Sequence, residues 1–91
     1  MPDIKVTDNQ FYIGESPEEP LAQIKFEIQE DVLTIFHTGV SDTLQGQGIG
    51  QLLVAHAVDY ARKNQLKIIP VCPYAIRQFE KNPQYSDVLV S

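Results

Sequence analysis

The 91-residue sequence predicts one α+β domain: an antiparallel meander of short strands that feeds a single parallel strand pair, with two helices. Three observations predict it. Residues 21–29 alternate apolar and polar, the period of a half-buried strand. From Ile49 the apolar spacing changes to that of a helix. An apolar run, Leu66–Val71, then follows that helix, and a strand–helix–strand unit crosses over right-handed to a parallel pair.

Taken in order, Ile4–Val6 and Phe11–Ile13 are expected as short strands around a turn at Thr7–Gln10. Gly14–Pro20, rich in Glu, Pro, Ser and Gly, is a loop. In Leu21–Gln29 the residues Ala22, Ile24, Phe26 and Ile28 share one face, while Gln23, Lys25, Glu27 and Gln29 share the other. Glu30–Asp31 turns the chain into the β-branched run Val32–Thr38. After a glycine-rich stretch, a helix runs from Ile49 to near Asn64, with Ile49, Leu52, Leu53, Ala57, Tyr60 and Ala61 as its apolar face. Leu66–Val71, broken only by Lys67, reads as a central strand. Pro73 suits the first turn of a second helix, which reaches about Lys81 and stops at Asn82–Pro83.

Composition narrows the function. Residues 1–91 provide for one domain and one modest core. Twelve acidic against seven basic residues leave a net charge of -5, which disfavours binding driven by counterion release from nucleic acid. No apolar run reaches the ~20 residues of a membrane span, and Met1–Gln10 lacks a signal-peptide core. One cysteine builds no internal disulfide, so a reducing, cytoplasmic setting is expected. His37, His56 and Cys72 lack the local spacing of metal ligands, and no metal site is expected.

The chemistry-bearing stretch is Ser41–Gly50, where a strand gives way to a glycine-rich loop and a helix start. First-turn amides have no partner within a helix, and the aligned peptide dipoles add partial positive charge there. Glycine lets the backbone turn and come close to an anion. A phosphorylated ligand is therefore expected on the loop, against the alternative of a turn that merely starts a helix. A dinucleotide fingerprint would need glycine where Gln51 stands, and a triphosphate loop would need a lysine, absent between Lys25 and Lys63.

Gln45, Gly48 and Gly50 fit Gln/Arg-x-x-Gly-x-Gly/Ala, and the stretch resembles the pyrophosphate motif of the GNAT acetyltransferases. His37–Thr38–Gly39–Val40 ahead of the loop and Cys72–Pro73–Tyr74 after the next strand are similar to motifs of a small single-domain GNAT-like family. The resemblance implies a shortened GNAT-like fold. It implies acetyl-coenzyme A as cofactor, held by Gln45, Gly46, Gln47, Gly48, Ile49 and Gly50, with the thioester beside Thr38, Gly39, Val40 and Cys72. It further implies acetyl transfer to an amine that the sequence does not identify; the acidic surface suits a lysine or polyamine. Many relatives carry glutamate where this chain has Gly39, a departure that removes the natural general base. The alternative is a coenzyme A-binding module without catalysis.

Acetyl transfer needs a free amine, a polarised thioester carbonyl and a proton for the leaving thiolate. Amides near Thr38–Val40 would polarise the carbonyl, with Gly39 as the site of a bulge that turns them inward. Tyr74 is either the acid for the thiolate or a ring packed on the second helix. Cys72 is either a nucleophile, activated by the helix start after Pro73, or an inert core thiol. His37 would activate Cys72 or deprotonate the acceptor, or else serve as a hydrogen-bonded structural histidine. His56, beside the apolar helical face, reads as packing.

Overall fold

The computed structural model describes residues 3–90. Five strands form one sheet in chain order: β1 Lys5–Val6, β2 Gln10–Ile13, β3 Ala22–Gln29, β4 Val32–Val40 and β5 Lys67–Pro70. Neighbours are antiparallel except β4 and β5, which run parallel across helix α1, Ile49–Lys63. Helix α2, Pro73–Lys81, follows β5, and 3-10 turns cover Asp42–Leu44 and Pro83–Val88. The expected α+β architecture is the one observed. Met1 and Pro2, in the segment read for a signal core, lie outside the described residues.

One core joins the sheet to both helices. Phe11, Ile24, Phe26, Leu33, Ile35 and Ile68 meet Leu53, Val54, Ala57, Val58 and Ala61 of α1 and Ala75 and Phe79 of α2. The buried stripe of α1 is wider than its period announces. Val54 and Val58 are closed off and Leu52 is only half-buried, because α2 and residues 83–88 pack along α1 beside the sheet. The opposite sheet face carries no helix, and Phe36, Ile69 and Val71 are exposed there. Over β2 that face is covered instead by residues 14–20, pinned where the Gln10 side-chain amide donates to the Pro17 carbonyl at 3.1 Å.

Two backbone features shape the open end of the parallel pair. The N–H groups of Lys67 and Val71 donate to Asp31 and Ile35 of β4, so Pro70 falls on an outward-facing position where its missing N–H costs no ladder bond. A β-bulge interrupts β4: Ile35 opposes Phe26 and His37 opposes Lys25, leaving Phe36 as the extra residue. This corrects the expectation of a bulge at Gly39, which pairs regularly with Gln23.

Periodicity gives no sign of how the C-terminal segment is held. Arg62 donates to both Asp87 carboxylate oxygens, at 2.9 and 2.8 Å, and to the Gln84 carbonyl at 2.8 Å. This fork holds Asp87 below the usual carboxylate range. It brings Val88 into the core and Leu89 alongside Ile68. Amide exchange should report this anchor: Asp87→Asn should speed exchange of the Val90 N–H, which bonds Ile68, and leave the α1 amides unchanged.

His56 packs edge-on against Phe11, ring centroids 5.1 Å apart. Burial pushes its imidazole below the ordinary histidine value, against the pull of Asp59. The unfolded chain therefore takes up this proton first, and stability falls as pH drops from about 6.5. Between roughly pH 7 and 5 the melting temperature of His56→Gln should fall less steeply than that of the parent.

Candidate active site

β4 and β5 part company at one carbonyl. Ile35 O accepts from both Val71 N–H, at 2.9 Å, and Cys72 N–H, at 3.2 Å, after which the chain turns into α2 while β4 continues to Val40 paired only with β3. Ser41 N–H donates back to Leu21 of the β3 side at 2.7 Å. By alternation, the N–H groups of Thr38 and Val40 point the other way, into the gap. The bulge decides which side chains accompany them. Thr38 pairs with buried Ile24 and faces the helices, whereas His37 and Gly39 face the helix-free side.

The loop closes one end of the gap. Ser41 Oγ accepts from Thr43 N–H at 3.3 Å and starts the 3-10 turn, and the Gln45 side-chain amide donates to the Val40 carbonyl at 3.4 Å. Gly46 and Gly48 hold φ of 82° and 72°, a region costly for residues with a Cβ. Gly48 caps α1 without any side-chain bond, and Leu52 N–H, bonded to Gly48 O at 3.0 Å, begins the helical ladder. The N–H groups of residues 49–51 are therefore free to face a ligand.

Loop, strand and α2 enclose a cleft of about 430 Å³. Thr38, Val40, Gln45, Gly46, Gly48, Ile49 and Gly50 line it together with Tyr74. Leu44 and Gln51 line it too and escape the reading of the sequence; an isolated leucine in a polar loop and a first-turn glutamine are the available signals. Gln47 turns away to donate to Thr43 O at 3.4 Å. His37 lines a separate recess with Phe36, Lys25 and Glu27, so β4 separates it from Cys72. None of the cleft-lining residues carries a formal charge.

Cys72, two residues beyond β5, is the N-cap of α2, 7% exposed, its Sγ 3.7 Å from Thr38 Oγ1. Burial pushes the thiol up. The Ala75 amide, the Thr38 hydroxyl and the Tyr74 amide favour the thiolate, and the balance falls below the ordinary thiol value. Tyr74 is the reverse case: burial pushes its phenol above the usual value, so it keeps its proton at neutral pH. Among the described residues no group of three His, Cys, Asp or Glu could hold a metal ion, and no helix is long and apolar enough to cross a membrane.

The family model described as GCN5-related N-acetyl-transferase matches residues 10–88. The chain belongs to that family. A GCN5-like protein from Staphylococcus aureus, solved in solution, is 42% identical with a TM-score of 0.81 over 98% of this chain and 88% of its own. Two more distant structures share the fold. The ribosomal-protein-S18-alanine N-acetyltransferase of Escherichia coli is 20% identical, TM-score 0.64, over 85% of this chain and 53% of its own. The IAA acetyltransferase of Bacillus cereus is 18% identical, TM-score 0.59, over 79% and 51%. This chain thus spans about half the length of those two. No curated protein sequence matches it. Within the family the chain is a short GNAT domain whose sheet, splayed strand pair and glycine loop are all present.

The Cys72 environment is directly testable. Alkylation by iodoacetamide should reach half its maximal rate below the ~8.5 of a free thiol, and Thr38→Val should move that midpoint up. Alkylation that stays slow at every pH until denaturant is added would mean a closed-off core thiol.

Proposed function

We propose that the cleft binds acetyl-coenzyme A, with its pyrophosphate on the loop amides and its thioester in the gap between β4 and the start of α2, and that the chain passes the acetyl group to an amine. One observation carries the reading: a loop held by two left-handed glycines runs into an uncapped helix at the mouth of a splayed parallel pair. The residues fit such a ligand. Nothing lies within 4 Å of a Cβ added at Gly46, so the backbone there is bare, and the uncharged lining leaves anion recognition to N–H groups and the helix dipole. A neighbouring recess shares Gly48 and Gln51 with the cleft and adds Lys81, a cation for a further phosphate.

Bound acetyl-coenzyme A supplies an activated acyl group. The chain supplies orientation and proton handling. In this reading the Thr38 and Val40 N–H groups, which point into the gap, polarise the thioester carbonyl. Tyr74, a phenol that is protonated at neutral pH and lines the cleft, provides the proton for a departing thiolate. Cys72 stands beside Thr38 as a nucleophile for a two-step transfer, the amine then taking the acetyl group from its sulfur. His37 lies on the far face, away from Cys72, and in this reading serves an amine that arrives from the helix-free side. A free, activated thiol suits a reducing compartment such as the cytosol.

A second reading, coenzyme A binding without transfer, draws on one feature: among the described residues no carboxylate or imidazole lines the cleft to serve as base.

Two measurements decide between them. Gly48→Glu puts bulk and negative charge at the loop and should abolish the calorimetric signal for coenzyme A; unchanged affinity would place the ligand elsewhere. Incubation with acetyl-coenzyme A should add one acetyl group to the intact protein mass, and Cys72→Ser should lose it. With no adduct and transfer intact in Cys72→Ser, the amine attacks directly; with neither adduct nor transfer to any amine tested, the binding module stands.

A further inference from the structure

The three glycines at the loop answer two different demands. Gly46 and Gly48 are required by their backbone, with φ of 82° and 72°; a Cβ would meet nothing within 4 Å at Gly46 and only Gln51 Oε1, at 3.8 Å, at Gly48. Gly50, the second residue of α1, has no positive φ and is buried. A Cβ there would stand 2.5 Å from Tyr74 Oη, 2.7 Å from Cζ and 3.0 Å from Cε1. The helix tolerates a side chain at this position. Tyr74 does not.

We propose that Gly50 is a positioning residue for Tyr74: its missing side chain lets the phenol cross from α2 to the first turn of α1 and fixes the hydroxyl inside the cleft. The clash that alanine would create falls on the far end of a ring that swings about two side-chain torsions, not on backbone. Alanine also favours the helical conformation over glycine. Gly50→Ala therefore displaces the tyrosine and keeps the loop amides where they are. The part played by Tyr74 in turnover rests on the acetyl-transfer reading; the contact with Gly50 does not.

The test is a double-mutant cycle. Gly50→Ala, Tyr74→Phe and the double variant are assayed for release of coenzyme A from acetyl-coenzyme A with poly-L-lysine as acceptor, and for desulfo-coenzyme A binding by calorimetry. Gly50→Ala and Tyr74→Phe should each lower kcat at least about ten-fold, and any change in desulfo-coenzyme A affinity in Gly50→Ala should be the same in the double variant. The double variant should be no slower than Tyr74→Phe. Effects on kcat that multiply would overturn the proposal. If the parent transfers nothing, the acetyl-transfer reading fails for this acceptor, and thermal melting decides the contact. Gly50→Ala should then raise Tm more in a Tyr74→Ala background than in the parent, and equal shifts would sink it.

Discussion

The carbonyl of Ile35 is the point on which the site depends. It takes hydrogen bonds from two successive residues, Val71 and Cys72, and so ends the parallel ladder with both strands still in register. Beyond it β4 runs on for five residues with its outer edge unpaired. Such an edge is normally a liability that a protein must cover or blunt. Here its N–H groups face a cleft bounded by the glycine loop and α2, which covers the edge without pairing it. Pro70 helps set the stopping point, since it occupies an outward position where a strand tolerates proline.

The bulge at Phe36 determines what the open edge displays. Without the extra residue, odd-numbered side chains would continue toward the helices, and His37 and Gly39 would sit in the cleft. With it, Thr38 and Val40 turn inward, and Thr38 reaches Cys72. The same shift leaves His37 beside Lys25 and Glu27 on the bare side of the sheet. One inserted residue thus separates the thiol and phenol, on the helix side of the sheet, from the imidazole on the opposite face.

Electrostatics in the cleft comes from dipoles. The chain is acidic overall, yet no lining residue carries a formal charge. What polarity the loop presents comes from N–H groups at Gly46, Gly48 and the start of α1, with the helix dipole behind them. The same economy operates at Cys72, where amides of the α2 start and a neighbouring hydroxyl offset the burial of a thiolate.

The elements, the crossover and the glycine loop are legible in the amino-acid order alone, because they follow from local periods: alternation in 21–29, helical spacing from Ile49, and glycines where a turn meets a helix. Most residues that line the cleft are legible too, since they are contiguous with the loop or with the end of β4. Which face each side chain takes is a matter of packing. The bulge depends on how β3 and β4 pair, and a single-residue slip moves His37 and Gly39 from the cleft to the far face. Val54 and Val58 join the core because α2 and the C-terminal segment pack beside α1, and Asp87 meets Arg62 across 25 positions of chain. Gly50 is the sharpest case. Its place in the motif shows in the sequence, but the reason a side chain is excluded there is Tyr74, a residue of another helix that only the packed fold brings against it.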